Sequence, residues 1–153
     1  MMTDRDTKIS AVGKSGETII ANWFTMQGSK VIMSEDSFDH TKDMIIDGKT
    51  VEIKTQVPFV KERAFSFREN QLRKCSKVEL VIFVAIPNTQ FPSRYDGKVY
   101  MIEGPKMKTR KYVTRDNRNM VLVDIDQPDM QYLFTLNHKQ CNILQKNSVS
   151  TWN

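Results

Sequence analysis

The chain is poor in the residues on which small extracellular scaffolds, zinc proteins and histidine-dependent hydrolases rely. Two cysteines occur in 153 residues, Cys75 and Cys141, with neither CxxC spacing nor a neighbouring histidine cluster. That excludes a disulfide framework and a zinc ribbon, and leaves reduced structural thiols. The two histidines, His40 and His138, lie in no metal or nucleophile motif, so hydrolysis built on a histidine general base lacks material. Glycine and proline are too few, at six and five, to form a linker, and no repeat or low-complexity tract is present. No apolar run approaches the roughly 20 residues that span a bilayer, and the opening MMTDRDTK is charged where a signal peptide turns apolar. A cytoplasmic protein with no membrane association is expected. The hydrophobic fraction of 39% and charged fraction of 27% suit an ordinary globular chain, and the length supports one core, hence one domain over 1–153.

The net charge of +5 favours a polyanionic partner, and its distribution is uneven. Between Gly104 and Asn119 stand Lys106, Lys108, Arg110, Lys111, Arg115 and Arg118 against the lone acid Asp116, so this stretch carries the whole surplus. A phosphate backbone would attract such a segment, and the attraction would weaken steeply with salt; the rival reading is a solvated basic loop.

Periodicity gives the elements. From Lys8 to Gln27, Ile9, Val12, Ile19, Ile20, Trp23 and Phe24 recur at helical spacing, and Gly28 supplies a stop. Gly13 and Gly16 cost that helix about 1 kcal/mol each relative to alanine, which points to a close approach. Lys30 to Ser34 reads as a short strand. Residues Lys42 to Asp47 and Lys49 to Val57 then alternate, with Met44, Ile46, Val51 and Ile53 on one face. Asp47-Gly48 between them is the signature of a two-residue hairpin turn. Ser66 and Glu69 match a capping box that would open a helix reaching Ser76. Val78 to Ile86 is a continuous apolar run, the mark of a strand buried on both faces. Lys98 to Ile102, Met120 to Ile125 and Tyr132 to Leu136 read as further strands, and His138 to Gln145 as a last helix. The order predicts a mixed α/β domain with helices packed on a central sheet.

The hairpin carries the chemistry. With Asp47 and Gly48 as the loop, 46 faces 49, 44 faces 51, and Asp43 faces Glu52. Directly opposed residues have Cβ atoms about 4.5–5.5 Å apart, and like charges so placed repel. A divalent cation with oxygen ligands would offset that repulsion, because Mg²⁺ is commonly held by one or two carboxylates plus water and phosphate. Lys54 shares the face by the period of two. Acid, acid and cation together suit phosphodiester hydrolysis. Glu17, three residues before Ile20 and seven before Phe24, lies on the sheet-facing side of the first helix and extends the set. Glu-x-Lys alone arises by chance roughly once in every two or three chains of this size, so the argument rests on its conjunction with Asp43 and with an apolar opposite face that fixes register.

Glu17, Asp43 and Glu52-Ile53-Lys54 on a hairpin, followed by a helix and a buried strand, resemble the PD-(D/E)XK nuclease superfamily over residues 8–87. The likeness is greatest to archaeal Holliday-junction resolvases and small phage or mobile-element nucleases. The resemblance implies a restriction-endonuclease-like mixed central sheet flanked by helices, with 8–87 as catalytic core and 98–153 as a basic C-terminal elaboration. It also implies a Mg²⁺ cofactor, with Mn²⁺ as a substitute. Asp43, Glu52, the Ile53 carbonyl and Glu17 would be ligands, and Lys54 would take the family lysine's role. Lys42 stands where members often have proline. Gln56 resembles the glutamine of an E-x-K-x-Q variant. Gln71 falls where some members place a functional glutamine, although the tyrosine four residues on is Cys75 here. DNA is the expected partner and a homodimer the expected assembly, with Lys61, Arg63 and Arg68 of the loop before the second helix joining the 104–119 segment in backbone binding. Phe59, Phe65 and Phe67 interleave with those basic residues and could stack or enter the core. The rival expectation is a non-catalytic nucleic-acid-binding protein that keeps the fold.

Overall fold

The computed structural model describes residues 4–34, 42–59, 63–90 and 92–148. Helix α1 (Asp4–Met26) begins four residues before the apolar periodicity does. Gly28 ends it at a φ of 92°, where the Ser29 N–H donates to the Phe24 carbonyl and the Gly28 N–H to that of Thr25, both at 3.0 Å. This is the Schellman closure that a left-handed glycine permits. Strand β1 (Val31–Met33) leads to the hairpin of β2 (Met44–Ile46) and β3 (Lys49–Gln56). Asp47 and Gly48 adopt φ of 49° and 83°, both positive as a type I′ turn requires. Then come β4 (Ala64–Phe67), α2 (Glu69–Ser76), β5 (Leu80–Ala85), β6 (Lys98–Glu103), β7 (Arg110–Val113), β8 (Asn119–Asp124), β9 (Gln131–Thr135) and α3 (His138–Ser148).

The central sheet has the order β1-β2-β3-β5-β6-β9. Only β3 and β5 run parallel, so the sheet is mixed. A parallel pair needs a crossover connection, and β4 with α2 forms it. Every residue of β5 is buried, as its continuous apolar run predicts. On one face, Val51, Ile53, Ile82 and Val84 pack with Ile19 and Ile20 of α1 and Leu144 of α3. On the other, Val81, Phe83 and Ala85 pack with Phe65 and Phe67 of β4 and Val121 and Val123 of β8. These last strands belong to a second sheet, ordered β4-β8-β7. The protein is thus an α/β fold with three helices among the described residues, and none of them is long and apolar enough to cross a membrane.

The predicted close approach of α1 is resolved at one of its two glycines. A Cβ at Gly16 would lie 1.9 Å from the Thr55 hydroxyl oxygen, whereas one at Gly13 would meet nothing within 4 Å. Gly16 is the point where the helix backbone rests on β3.

Three expectations need correction. Ser66 caps no helix: it lies inside β4, because a four-residue strand buried at each position offers no polar alternation to reveal it. Of the two roles open to the loop aromatics, Phe65 and Phe67 take the core one and are fully buried, as expected for at least two of the three, while Phe59 is 42% exposed. The 104–119 segment is not one loop, since it contains a 3-10 turn (Gly104–Lys106), β7 and the start of β8. Finally, residues 98–153 do not form an appended elaboration. β6 and β9 continue the central sheet, Trp23 of α1 stacks on Phe134 of β9 with ring centroids 4.5 Å apart, and Asn147 of α3 donates to the Ser15 hydroxyl at 2.8 Å.

Candidate active site

Alternation along β3 sends Val51 and Ile53 into the α1 side of the sheet. Glu52, Lys54 and Gln56 therefore face the β4 and α2 side, in register with Val81, Phe83 and Ala85 of β5. The hairpin pairs Met44 with Val51, Ile45 with Thr50 and Ile46 with Lys49, the register the turn arithmetic predicts.

The ladder stops at Met44, one residue short of the expected Asp43–Glu52 pair. The Asp43 N–H donates to the Val51 carbonyl at 2.8 Å, and Asp43 Oδ2 accepts the Ile53 N–H at 2.7 Å. The carboxylate thereby replaces a strand partner for an edge amide that β2 no longer covers, a bond of the stronger charge-assisted kind. Residues 51 and 53 direct both backbone groups toward the β2 edge, so the Ile53 carbonyl opens there beside Asp43. Asp43 is a backbone cap beside Glu52 rather than its cross-strand mate.

Lys54 is half-buried, its Nζ 4.9 Å from the centroid of the Phe67 ring. Burial pushes its ammonium below the ordinary lysine range. The charges of Cys75 and then Glu52 oppose this, and that of Arg68 adds to it. Glu52 has one carboxylate oxygen, Oε2, buried. Sequence reasoning did not anticipate Phe67 beneath the lysine or Cys75 beside it. Cys75 stands four residues after Gln71 on α2, so the helix does present that position to the lysine.

Gln56 is committed elsewhere. Its Oε1 accepts the Ser66 N–H at 2.8 Å, and its Nε2 donates to Ser66 Oγ at 3.0 Å. The amide ties β3 to β4 and is not poised over the acids. Gln56→Ala should cost about 1–3 kcal/mol, the penalty for leaving the buried Ser66 amide unsatisfied. Denaturant unfolding measures it, and a loss below about 0.5 kcal/mol would refute this role. Gln71 serves the backbone as well: its Oε1 accepts the Arg68 N–H at 3.1 Å, while the Leu72 N–H donates to the Arg68 carbonyl at 3.1 Å. Arg68 is thus the first cap of α2, two residues after the serine predicted for that place.

Glu17 is half-buried on α1 and engaged in an interaction of its own. Among the described residues no three Asp, Glu, His or Cys side chains converge closely enough to hold a metal ion, so Glu17 does not join Asp43 and Glu52 as a third carboxylate. What remains is two acids and the Ile53 carbonyl, which meets the minimum that Mg²⁺ asks of a protein.

The predicted phosphate-binding residues divide into groups. Lys61 lies outside the described residues. Lys106 pairs with Glu103 at 2.7 Å, Arg110 with Asp124 at 2.9 Å and Arg118 with Asp116 at 2.9 Å. Among the described residues no ion pair holds Lys108, Lys111 or Arg115, all exposed on or beside β7. Arg63, Lys108 and Arg110 share one cleft with Asp124 and Asp126. Arg68 and Arg118 share another with Arg73, Glu69, Asn119 and Met120. Arg73 was not anticipated, because only packing of α2 near β8 brings it toward Arg118. No protein-family model and no curated protein matches this chain.

Proposed function

We propose that this protein is a Mg²⁺-dependent DNA endonuclease with a restriction-endonuclease-like core, Mn²⁺ being a suitable substitute. The observation that carries the reading is the placement of Glu52 and Lys54 together on the polar side of β3, with the Asp43 carboxylate at the point where β2 leaves that strand. Partly burying a lysine and a glutamate on a strand flanked by sheet on both sides carries a desolvation cost, which supports a chemical role for the pair.

Asp43, Glu52 and the Ile53 carbonyl would hold the cation, which supplies an activated water and neutralises charge on the phosphate when bound. Lys54 would place its ammonium against a phosphate oxygen as negative charge develops there, in partly water-excluded surroundings where the interaction is strong. The bond to Ile53 holds the Asp43 carboxylate in one orientation, and Phe67 fixes the floor beneath Lys54. Two copies acting as a homodimer would cut both strands.

A second reading, a nucleic-acid-binding protein without catalysis, is favoured by the engagement of Asp43 with Ile53 and by the absence of a converging third carboxylate among the described residues. Incubation of the protein with supercoiled plasmid, a four-way junction and a flap, in Mg²⁺ or EDTA, separates the two. Cleavage in Mg²⁺ alone is expected. Binding with no cleavage of any of the three establishes the second reading instead.

Asp43 itself can be dissected. Asparagine keeps an oxygen acceptor for the Ile53 N–H and discards the charge, so Asp43→Asn should fold within about 1 kcal/mol of wild type, the scale of one net hydrogen bond, yet lose cleavage. Asp43→Ala should lose both. Full cleavage by Asp43→Asn would show that this acid is a backbone cap and nothing more.

A further inference from the structure

We infer that the cleft between the start of α2 and the start of β8 is a second nucleic-acid contact, seating backbone phosphates that flank the bond at Lys54. This deepens the nuclease reading and rests on it for the word flank. The cleft has a volume of about 470 Å³ and is bounded by Arg68, Glu69, Arg73, Arg118, Asn119 and Met120. Three guanidiniums line it against one carboxylate, Glu69, and Arg118 also pairs with Asp116 of the β7–β8 turn at 2.9 Å. Guanidinium is the side-chain group best matched to phosphate, being planar, permanently charged and able to donate two parallel bonds.

The cleft is built rather than incidental. Arg68 is held at the head of α2 by the Gln71 bond to its N–H. Arg118 is fixed by a closed turn: its N–H donates to Thr114 Oγ1 at 2.9 Å, and its carbonyl accepts the Thr114 N–H at 2.9 Å. Asn117 completes that turn at a φ of 62°. The cleft also adjoins the candidate active site, because Phe67, immediately before Arg68, lies under Lys54.

The other basic cleft of the second sheet offers a contrast. It is of similar size, about 400 Å³, but holds Asp124 and Asp126 beside Arg63, Lys108 and Arg110. Asp124 neutralises Arg110 through two bonds, at 2.9 and 3.0 Å, and Asp126 takes Arg94 at 3.0 Å. An anion entering there meets carboxylates. In the α2 cleft Glu69 is the one lining carboxylate, because the Asp116 that pairs with Arg118 is not part of the lining, so the substrate strand runs on the α2 side of the second sheet and reaches the β7–β8 turn by way of Arg73 and Arg118.

The test is fluorescence anisotropy with a short labelled DNA duplex and the matching single strand, in EDTA so that cleavage plays no part, across a salt series. Arg73→Gln/Arg118→Gln should weaken binding at least tenfold at low salt and reduce the salt slope by about two for duplex, one for each phosphate that is no longer neutralised. Lys139→Gln/Lys146→Gln removes the same charge from α3, on the far face of the central sheet, and should stay within twofold of wild type. Arg73→Lys/Arg118→Lys keeps the charge and should restore most of the slope. The proposal is overturned if the arginine and α3 variants weaken binding equally, if the arginine variant binds like wild type, or if wild type binds neither DNA. The nuclease reading fails separately: wild-type binding that disappears in the arginine variant, without cleavage in Mg²⁺, refutes catalysis and leaves the phosphate cleft standing.

Discussion

Glu52→Ala and Lys54→Ala are each expected to lower Mg²⁺-dependent cleavage by about 10²–10³-fold, the usual effect of removing one group that stabilises developing charge, while the protein stays folded. Both side chains stand on β3, whose backbone pairing with β2 and β5 does not depend on them. Lys54 permits a sharper statement, because burial holds its ammonium below the ordinary lysine range. A lysine acting as a cation loses its function as pH rises through that depressed value, so the cleavage rate should fall with pH before free lysine would deprotonate. Lys54→Arg stays charged throughout and should lose that alkaline limb, although the planar guanidinium over Phe67 will not match the wild-type rate. Stability moves the opposite way. The unfolded chain binds the Lys54 proton more tightly than the folded one, so the cost of the buried charge is full below the depressed pKa and is relieved as pH rises from there toward 10.5. Lys54→Met should abolish that alkaline gain in a series of melts at rising pH. Cleavage that survives both alanine substitutions would remove these residues from the reaction.

How much of this was legible in the sequence depends on whether an element announces itself locally. The β2–β3 hairpin did, since Asp47-Gly48 demands a turn with positive φ and the flanking alternation fixes the register, and α1 did at its end through Gly28. β5 was plain from its apolar run. The failures share a cause, which is that the deciding partner lies far along the chain. β4 is an Ala-Phe-Ser-Phe segment buried on all sides by β3 and β8, so Ser66 has no local signal beyond a chance match to a capping box. β7 is exposed at every residue, with Val113 at 59%, and a basic strand with no apolar face reads as a loop. The pairing of Arg110 with Asp124, 14 residues on, follows only from the β7–β8 register. At the site, arithmetic from the turn brought Asp43 beside Glu52 but could not foresee that the ladder ends at Met44 and hands the Asp43 carboxylate to Ile53. The site lay in the alternation of one hairpin, and its surroundings did not.

The two glycines of α1 should give opposite results on the same substitution. Gly13→Ala places a methyl where nothing lies within 4 Å, so only helix propensity acts, and the protein should gain up to about 1 kcal/mol. Gly16→Ala receives the same propensity gain, but its Cβ would lie 1.9 Å from Thr55 Oγ1 and 2.9 Å from Thr55 Cβ. The second of those atoms is bound to the backbone of β3 and cannot swing away. Helix and strand must separate, at a cost of about 1–3 kcal/mol or more for overpacking, and the net change is destabilising. Thr55→Ala removes the hydroxyl and the methyl but leaves the Cβ, so combined with Gly16→Ala it should recover part of the loss, giving a coupling that Gly13→Ala does not show with Thr55→Ala. Because Thr55 follows Lys54 directly and Ile53 shares its α1-facing side, lifting the helix also shifts the strand that carries Glu52 and Lys54. Gly16→Ala should therefore reduce cleavage at temperatures where the protein is still fully folded. Equal stability effects at the two glycines would mean that α1 does not rest on β3 at Gly16.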